Sequence, residues 1–138
     1  MAGFQFAYKM SGSAPTIYTI PVKAGSVISI GELVNLESGY ADGAATADAA
    51  LMGISLEAAD NTAGSNGDLD IDVIVDPDAV YSVEDANARL AGATLDIASG
   101  ALGVTTTSNA DLIVVAPSTA SERTLVRIVR TQHYLTAN

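Results

Sequence analysis

The sequence predicts an all-β domain, a small barrel or a sandwich of short strands. Three observations carry this. About nine or ten β-branched, apolar stretches recur at roughly 8–14-residue spacing, divided by Gly, Asn and Ser turns. The run DLDIDVIVD (68–76) alternates acidic and apolar residues with the period of two that a half-buried strand needs. Helical patterning is confined to short, weak segments, so at most one short helix is expected, near 84–91. At 138 residues the chain is read as a single β domain over 16–138, preceded by an N-terminal arm over 1–15.

The elements follow in order. Phe4, Phe6 and Tyr8 alternate, which places all three on one face of an extended arm. Such an arm can cover a sheet edge of its own subunit or of a neighbour. TIYTIPVK (16–23) is a strand by its β-branched and aromatic content, and Pro21 marks its end as an edge or irregular position. SVISI (26–30) and ELVNL (32–36) flank Gly31, a strand broken by a bend. SGYADG begins a turn, and the alanines of 44–51 allow a helical stretch that Thr46 weakens. Strand resumes at LMGISLEAA (51–59), and ADNTAGSNGD (59–68) is a loop.

In DLDIDVIVD, Leu69, Ile71, Val73 and Val75 share one side; Asp68, Asp70, Asp72 and Asp76 share the other, with Ile74 among them. AVYSV (79–83) is a short strand. Ser82 to Asp85 has capping-box spacing and Gly92 is a stop, which together define the helix candidate at 84–91. TLDIASGALGVTTT (94–107) is two strands about Ser99-Gly100, and DLIVVAP (111–117) is a buried strand. RTLVRIVRTQHYL (123–135) is a long, Arg-bearing C-terminal strand.

Composition limits the core and the partners. Twenty-four Ala bury little area each, against 33 Val, Ile and Leu and seven aromatics. Self-association or docking on a larger surface would add burial. The formal charge of −10 repels phosphate backbones, so direct nucleic-acid binding is not expected. Arg123, Arg127 and Arg130 cluster near the C-terminus. They read either as one docking end of the molecule or as charge protection of an edge strand. No apolar run approaches the ~20 residues of a membrane span, and no secretory signal pattern opens the chain. With no Cys, disulfides and thiolate chemistry are excluded.

No enzyme motif is present, and no catalytic residue, cofactor or metal site is expected. His133, the single histidine, has no nucleophile motif beside it and reads as a surface or packing residue. Asp68, Asp70 and Asp72 would project in parallel from a strand rather than converge. Counted as a calcium loop from Asp68, the positions that need Gly and Glu hold Val73 and Ala79. Asp76, Asp78, Glu84 and Asp85 lie in a turning segment and are the remaining metal candidate. Sparse aromatics disfavour a sugar-stacking platform.

The order VKAGSVISIGELVNLESGYADGAATADAALMGISLEAAD, followed by DIDVIVDPDAVYSVEDANARLAGATLDIASGALGV, resembles the cement, or head-decoration, proteins of tailed bacteriophages. The likeness spans roughly 17–130 and is greatest over Val75–Tyr81 and Ala93–Gly103. It implies a barrel or β-tulip-like domain on the outer surface of an icosahedral head, bridging capsomers, with the major capsid protein as partner and a homotrimer as the assembly. Phe4, Phe6, Tyr8, Arg123, Arg127 and Arg130 are then the candidate capsid or inter-subunit contacts. A phage tail or baseplate module and a glycan- or cell-surface-binding domain are the alternatives.

Overall fold

A computed structural model describes residues 3–45, 48–106 and 109–136. It is all-β. The strands are β1 (Phe4–Lys9), β2 (Ile17–Pro21), β3 (Val27–Ile28), β4 (Leu33–Glu37), β5 (Tyr40–Gly43), β6 (Leu51–Ile54), β7 (Ala59–Asp60), β8 (Asp70–Ile74), β9 (Ala79–Glu84), β10 (Thr94–Ile97), β11 (Val104–Thr105), β12 (Leu112–Val114) and β13 (Arg123–Ile128). They form a six-stranded sheet in the order β1-β9-β13-β12-β10-β11, a three-stranded sheet β5-β4-β6, and the pairs β2-β8 and β3-β7. Pairing within each sheet is antiparallel, and among the described residues no sheet closes into a barrel.

Two apolar cores explain the layering. The inner face of the six-stranded sheet contributes Phe4, Tyr81, Val83, Leu95, Ile97, Leu112, Val114, Val126 and Ile128 to the first. The second gathers Val22, Ile28, Ile71, Val73 and Val75. The three-stranded sheet separates them: Leu33, Leu51 and Ile54 belong to the first core, Val34 and Met52 to the second. That sheet is apolar on both faces, as a middle layer requires. Ile74 also joins the first core, so β8 is buried on both sides at its end instead of turning Ile74 to solvent with the aspartates.

Backbone chemistry sets the corners. Ser38 (φ 52°) and Gly39 (φ 87°) join β4 to β5 in the left-handed pair that a two-residue hairpin requires. At Gly53, φ is 152°, and an added Cβ would lie 1.9 Å from the Ile74 carbonyl oxygen and 2.6 Å from the Tyr81 hydroxyl. Only glycine lets β6 pass this close to β8.

Three sequence expectations are corrected. Residues 84–91 are not helical. The Asp85 carboxylate accepts the Asn87 N–H in a local turn, while Arg89 and Ser118 exchange backbone hydrogen bonds at 3.1 and 3.0 Å. The backbone groups a helix would use are committed elsewhere. The alanine stretch is likewise not helical where described. Ala45 donates its N–H to Asp48 Oδ2, β6 begins at Leu51, and 46–47 lie outside the described residues. The C-terminal strand stops at Ile128. Gln132 and His133 N–H groups both turn back to the Val129 carbonyl. The chain then pairs with Leu51, whose N–H donates to Gln132 O while its carbonyl accepts from Tyr134. The tail thereby covers the edge of the middle sheet, satisfying backbone groups that β6 would otherwise leave unpaired.

Candidate interaction surface

The alternation of Phe4, Phe6 and Tyr8 does not survive into one face. β1 pairs with β9 as Phe4↔Val83 and Phe6↔Tyr81, then shifts register, so that Tyr8 opposes Val80. Ala7 is the extra residue of this bulge, and it turns Tyr8 to the opposite side of the sheet. Phe4 is 2% exposed and lies in the first core, Phe6 packs partly against it, and Tyr8 is 41% exposed. The N-terminal segment is therefore an integral edge strand of its own sheet. Its entry is fixed where the Phe4 N–H donates to Gly31 O at 2.9 Å.

Register places Tyr8 beside Val80, and Ile113 beside Arg127, on the outer face of the six-stranded sheet. Val126 opposes Tyr81, which sets Arg127 next to Val80 and completes one row across four strands. At the end of that row an open groove of about 500 Å³ is lined by Met10, Ile113, Val115, Arg127, Val129 and Arg130, with Val114 and Thr131. Most of its lining is apolar. Met10 is 55% exposed, Arg127 is half-buried and Arg130 is exposed.

The three C-terminal arginines divide into two kinds. Arg123 is a structural tie: its Nε donates to Ser82 Oγ, its Nη2 donates to the carbonyls of Ser82 and Gly3, and its Nη1 lies 3.8 Å from Glu84. It knots β13, β9 and the N-terminus together. Lys9 pairs with Asp76 at 3.1 Å, Lys23 with Glu37 and Asp42 at 2.9 and 3.5 Å, and Arg89 with Asp85 at 2.5 Å. Among the described residues, Arg127 and Arg130 are the basic side chains without an ion-pair partner.

A second, smaller groove of about 220 Å³ runs along the free side of β1, lined by Phe4, Phe6, Ile30, Ile54 and Leu56. Ile30 is 63% exposed and Leu56 is 37% exposed. It carries no unpaired charge.

In fold, the chain is similar to a known phage protein. One match is to the crystal structure of the N base of head fiber gp8.5 in bacteriophage phi29, with a TM-score of 0.54 and 14% identity. It covers 85% of this chain and 98% of that one. No family model and no curated protein matches the sequence. At this identity the likeness is one of fold.

The acidic candidates do not converge. Asp76 is bound to Lys9 and the Thr16 N–H, Asp78 accepts from the Ser11 N–H, and Asp85 takes Arg89 and Thr124. Burial pushes Asp76 and Asp85 up, but these donors and cations outweigh it and hold both below the usual carboxylate range. Among the described residues, no group of three His, Cys, Asp or Glu side chains is placed to hold a metal ion.

His133 is fully buried. Its Nδ1 accepts the Leu135 N–H at 3.1 Å, so the proton sits on Nε2, which donates to Met52 O at 3.1 Å. Burial lowers its pKa, and the imidazole is kept neutral as a bolt between the tail and β6.

The groove takes in Arg127 and Arg130, which sequence reasoning names as candidate contacts, beside Met10, Ile113, Val115 and Val129, which it does not single out. Their signal was an apolar residue at the outward-facing register of an Arg-bearing strand pair, visible only once pairing is known.

Proposed function

We propose that this chain is a structural protein of a tailed-phage head, seated on the exterior of the shell as a cement or decoration protein that bridges neighbouring capsomers. The major capsid protein is its partner, and its contribution is shape and surface rather than reactivity. The observation that carries the reading is the fold likeness, along 85% of the chain, to the N base of a phage head fiber. The acidity agrees with it, since a protein carrying −10 gains nothing from packaged nucleic acid. The unpaired arginines and the apolar groove beside them supply a face for a protein surface. Self-association as a homotrimer would add the burial that an alanine-rich core leaves wanting.

A second reading follows from the same likeness: the domain serves as the base of a fiber on the head. Copy number separates the two. Quantitative gel or mass-spectrometric analysis of purified particles should find hundreds of copies for a cement protein and far fewer for a fiber base or a tail module. Heads stripped of the chain should rebind it at the same occupancy. Particles lacking it entirely would overturn both readings.

A further inference from the structure

We propose that the groove at the end of the outer sheet face receives an acidic, apolar segment of a partner protein. The partner's apolar side chains would lie on Met10, Ile113 and Val129, and its carboxylates on Arg127 and Arg130. This rests on the reading that the chain docks on a protein shell, and it specifies the chemistry of the docking segment.

Charge placement is the argument. The molecule carries sixteen carboxylates and six cations. Lys9, Lys23, Arg89 and Arg123 are each held by a carboxylate of the same chain. Arg127 and Arg130 stand unpaired despite this excess of acid, on either side of the groove residue Val129. Asp78, whose backbone carbonyl accepts the Met10 N–H, has its carboxylate engaged by the Ser11 N–H. An incoming carboxylate therefore meets guanidinium groups whose attraction is not already spent. The apolar lining matters equally. Covering Met10 and Val129 removes water from around the ion pairs, which strengthens them relative to fully solvated ones. Arg suits the task because its planar fork grips a carboxylate through two N–H donors. A phosphate polymer would meet the same arginines but also the repulsion of the remaining surface. A groove of about 500 Å³ falls within the size range of clefts that hold small ligands, roughly 300–1,000 Å³.

The test uses the full chain and three capped heptapeptides: alternating Glu and Leu, alternating Lys and Leu, and alternating Glu and Ser. Binding is followed by two-dimensional NMR. The Glu–Leu peptide should shift the resonances of Met10, Ile113, Arg127 and Val129, and the other two peptides should not bind. Arg127→Gln with Arg130→Gln should weaken binding about tenfold. Arg130→Glu alone, at an exposed site that leaves the fold undisturbed, should weaken it about threefold. Equal binding of the Lys–Leu peptide, shifts confined to another face, or unchanged affinity in the folded double variant would overturn the proposal. Concentration-dependent dimers in sedimentation that vanish in the double variant would also overturn it, by making a second copy the occupant. Rebinding to stripped heads separates this from the functional reading. Wild-type protein that fails to rebind defeats the head-protein assignment. Wild-type and double variant that rebind equally defeat the groove.

Discussion

Replacing Phe4 by Ala tests whether the N-terminal segment belongs to its own domain or to a neighbour. The ring is 2% exposed within the first core, opposite Val83, and its backbone N–H is bonded to Gly31. Truncating a buried Phe costs about 3–5 kcal/mol. The segment is the edge strand of its sheet, where surroundings relax more readily, so the lower figure of about 3 kcal/mol applies. For a domain with about 5–15 kcal/mol of total stability this is a large fraction. It corresponds to a Tm fall of roughly 10 °C and, with a urea slope near 2 kcal/mol/M, a midpoint lower by about 1.5 M. The assay is urea unfolding of the isolated chain, followed by far-UV circular dichroism. Tyr8→Ala is the control: at 41% exposure it should cost less than about 1 kcal/mol. A Phe4→Ala chain that unfolds at the wild-type midpoint, yet weakens particles, would refute the intradomain assignment and return the segment to a neighbour.

Other perturbations probe the remaining devices of the fold. Gly53→Ala should destabilise by about 3 kcal/mol or more, from positive-φ strain together with the clash against Ile74 O, and thermal melts should register it. Arg89→Ala strands the Asp85 carboxylate, whose side chain is 3% exposed, and should cost about 3–5 kcal/mol; removing both partners should cost less than the two single changes added together. His133 has a folded pKa below its ordinary value, so the unfolded chain takes up the proton first as pH falls. Its contribution is complete above about pH 6.5 and declines below it, and urea midpoints between about pH 8 and 5.5 should fall in wild type but stay flatter in His133→Gln.

Strand positions were legible because a period of two survives in any half-buried strand, as the Asp70–Ile74 segment illustrates. What was not legible is where that period fails. Ile74 looked outward by alternation, but a middle layer gives β8 two apolar sides. Tyr8 looked coplanar with Phe4 and Phe6, but one inserted residue reverses the face, and a bulge leaves no trace in hydropathy. The run 123–135 reads as one strand because its apolar residues continue past Ile128. The unpaired edge of β6 competes for the same backbone and captures residues 132–134. The arginine cluster was legible as a cluster, yet its division into a tie and two arginines without an ion pair depends on Ser82 and the Gly3 carbonyl, which lie far away in sequence. Residues 84–91 show the reverse error: a local capping signal was real, but Asp85 used it to hold a turn and a buried arginine.

In the proposed docking, the excess of acid and the two unpaired arginines act together as an orientation device. An acidic partner approaching most of this surface meets like charge, and repulsion at close range suppresses those encounters. Affinity need not be high for such a contact to be selective, because specificity is the difference between the permitted pose and the rejected ones. The same logic explains why the remaining cations are tied down. A solvated Lys9 or Arg123 would offer a second landing point on another part of the molecule, and its internal carboxylate or carbonyl partners withdraw it. Selectivity of the proposed docking therefore depends less on how many basic residues the chain has than on which of them its own acids leave unclaimed.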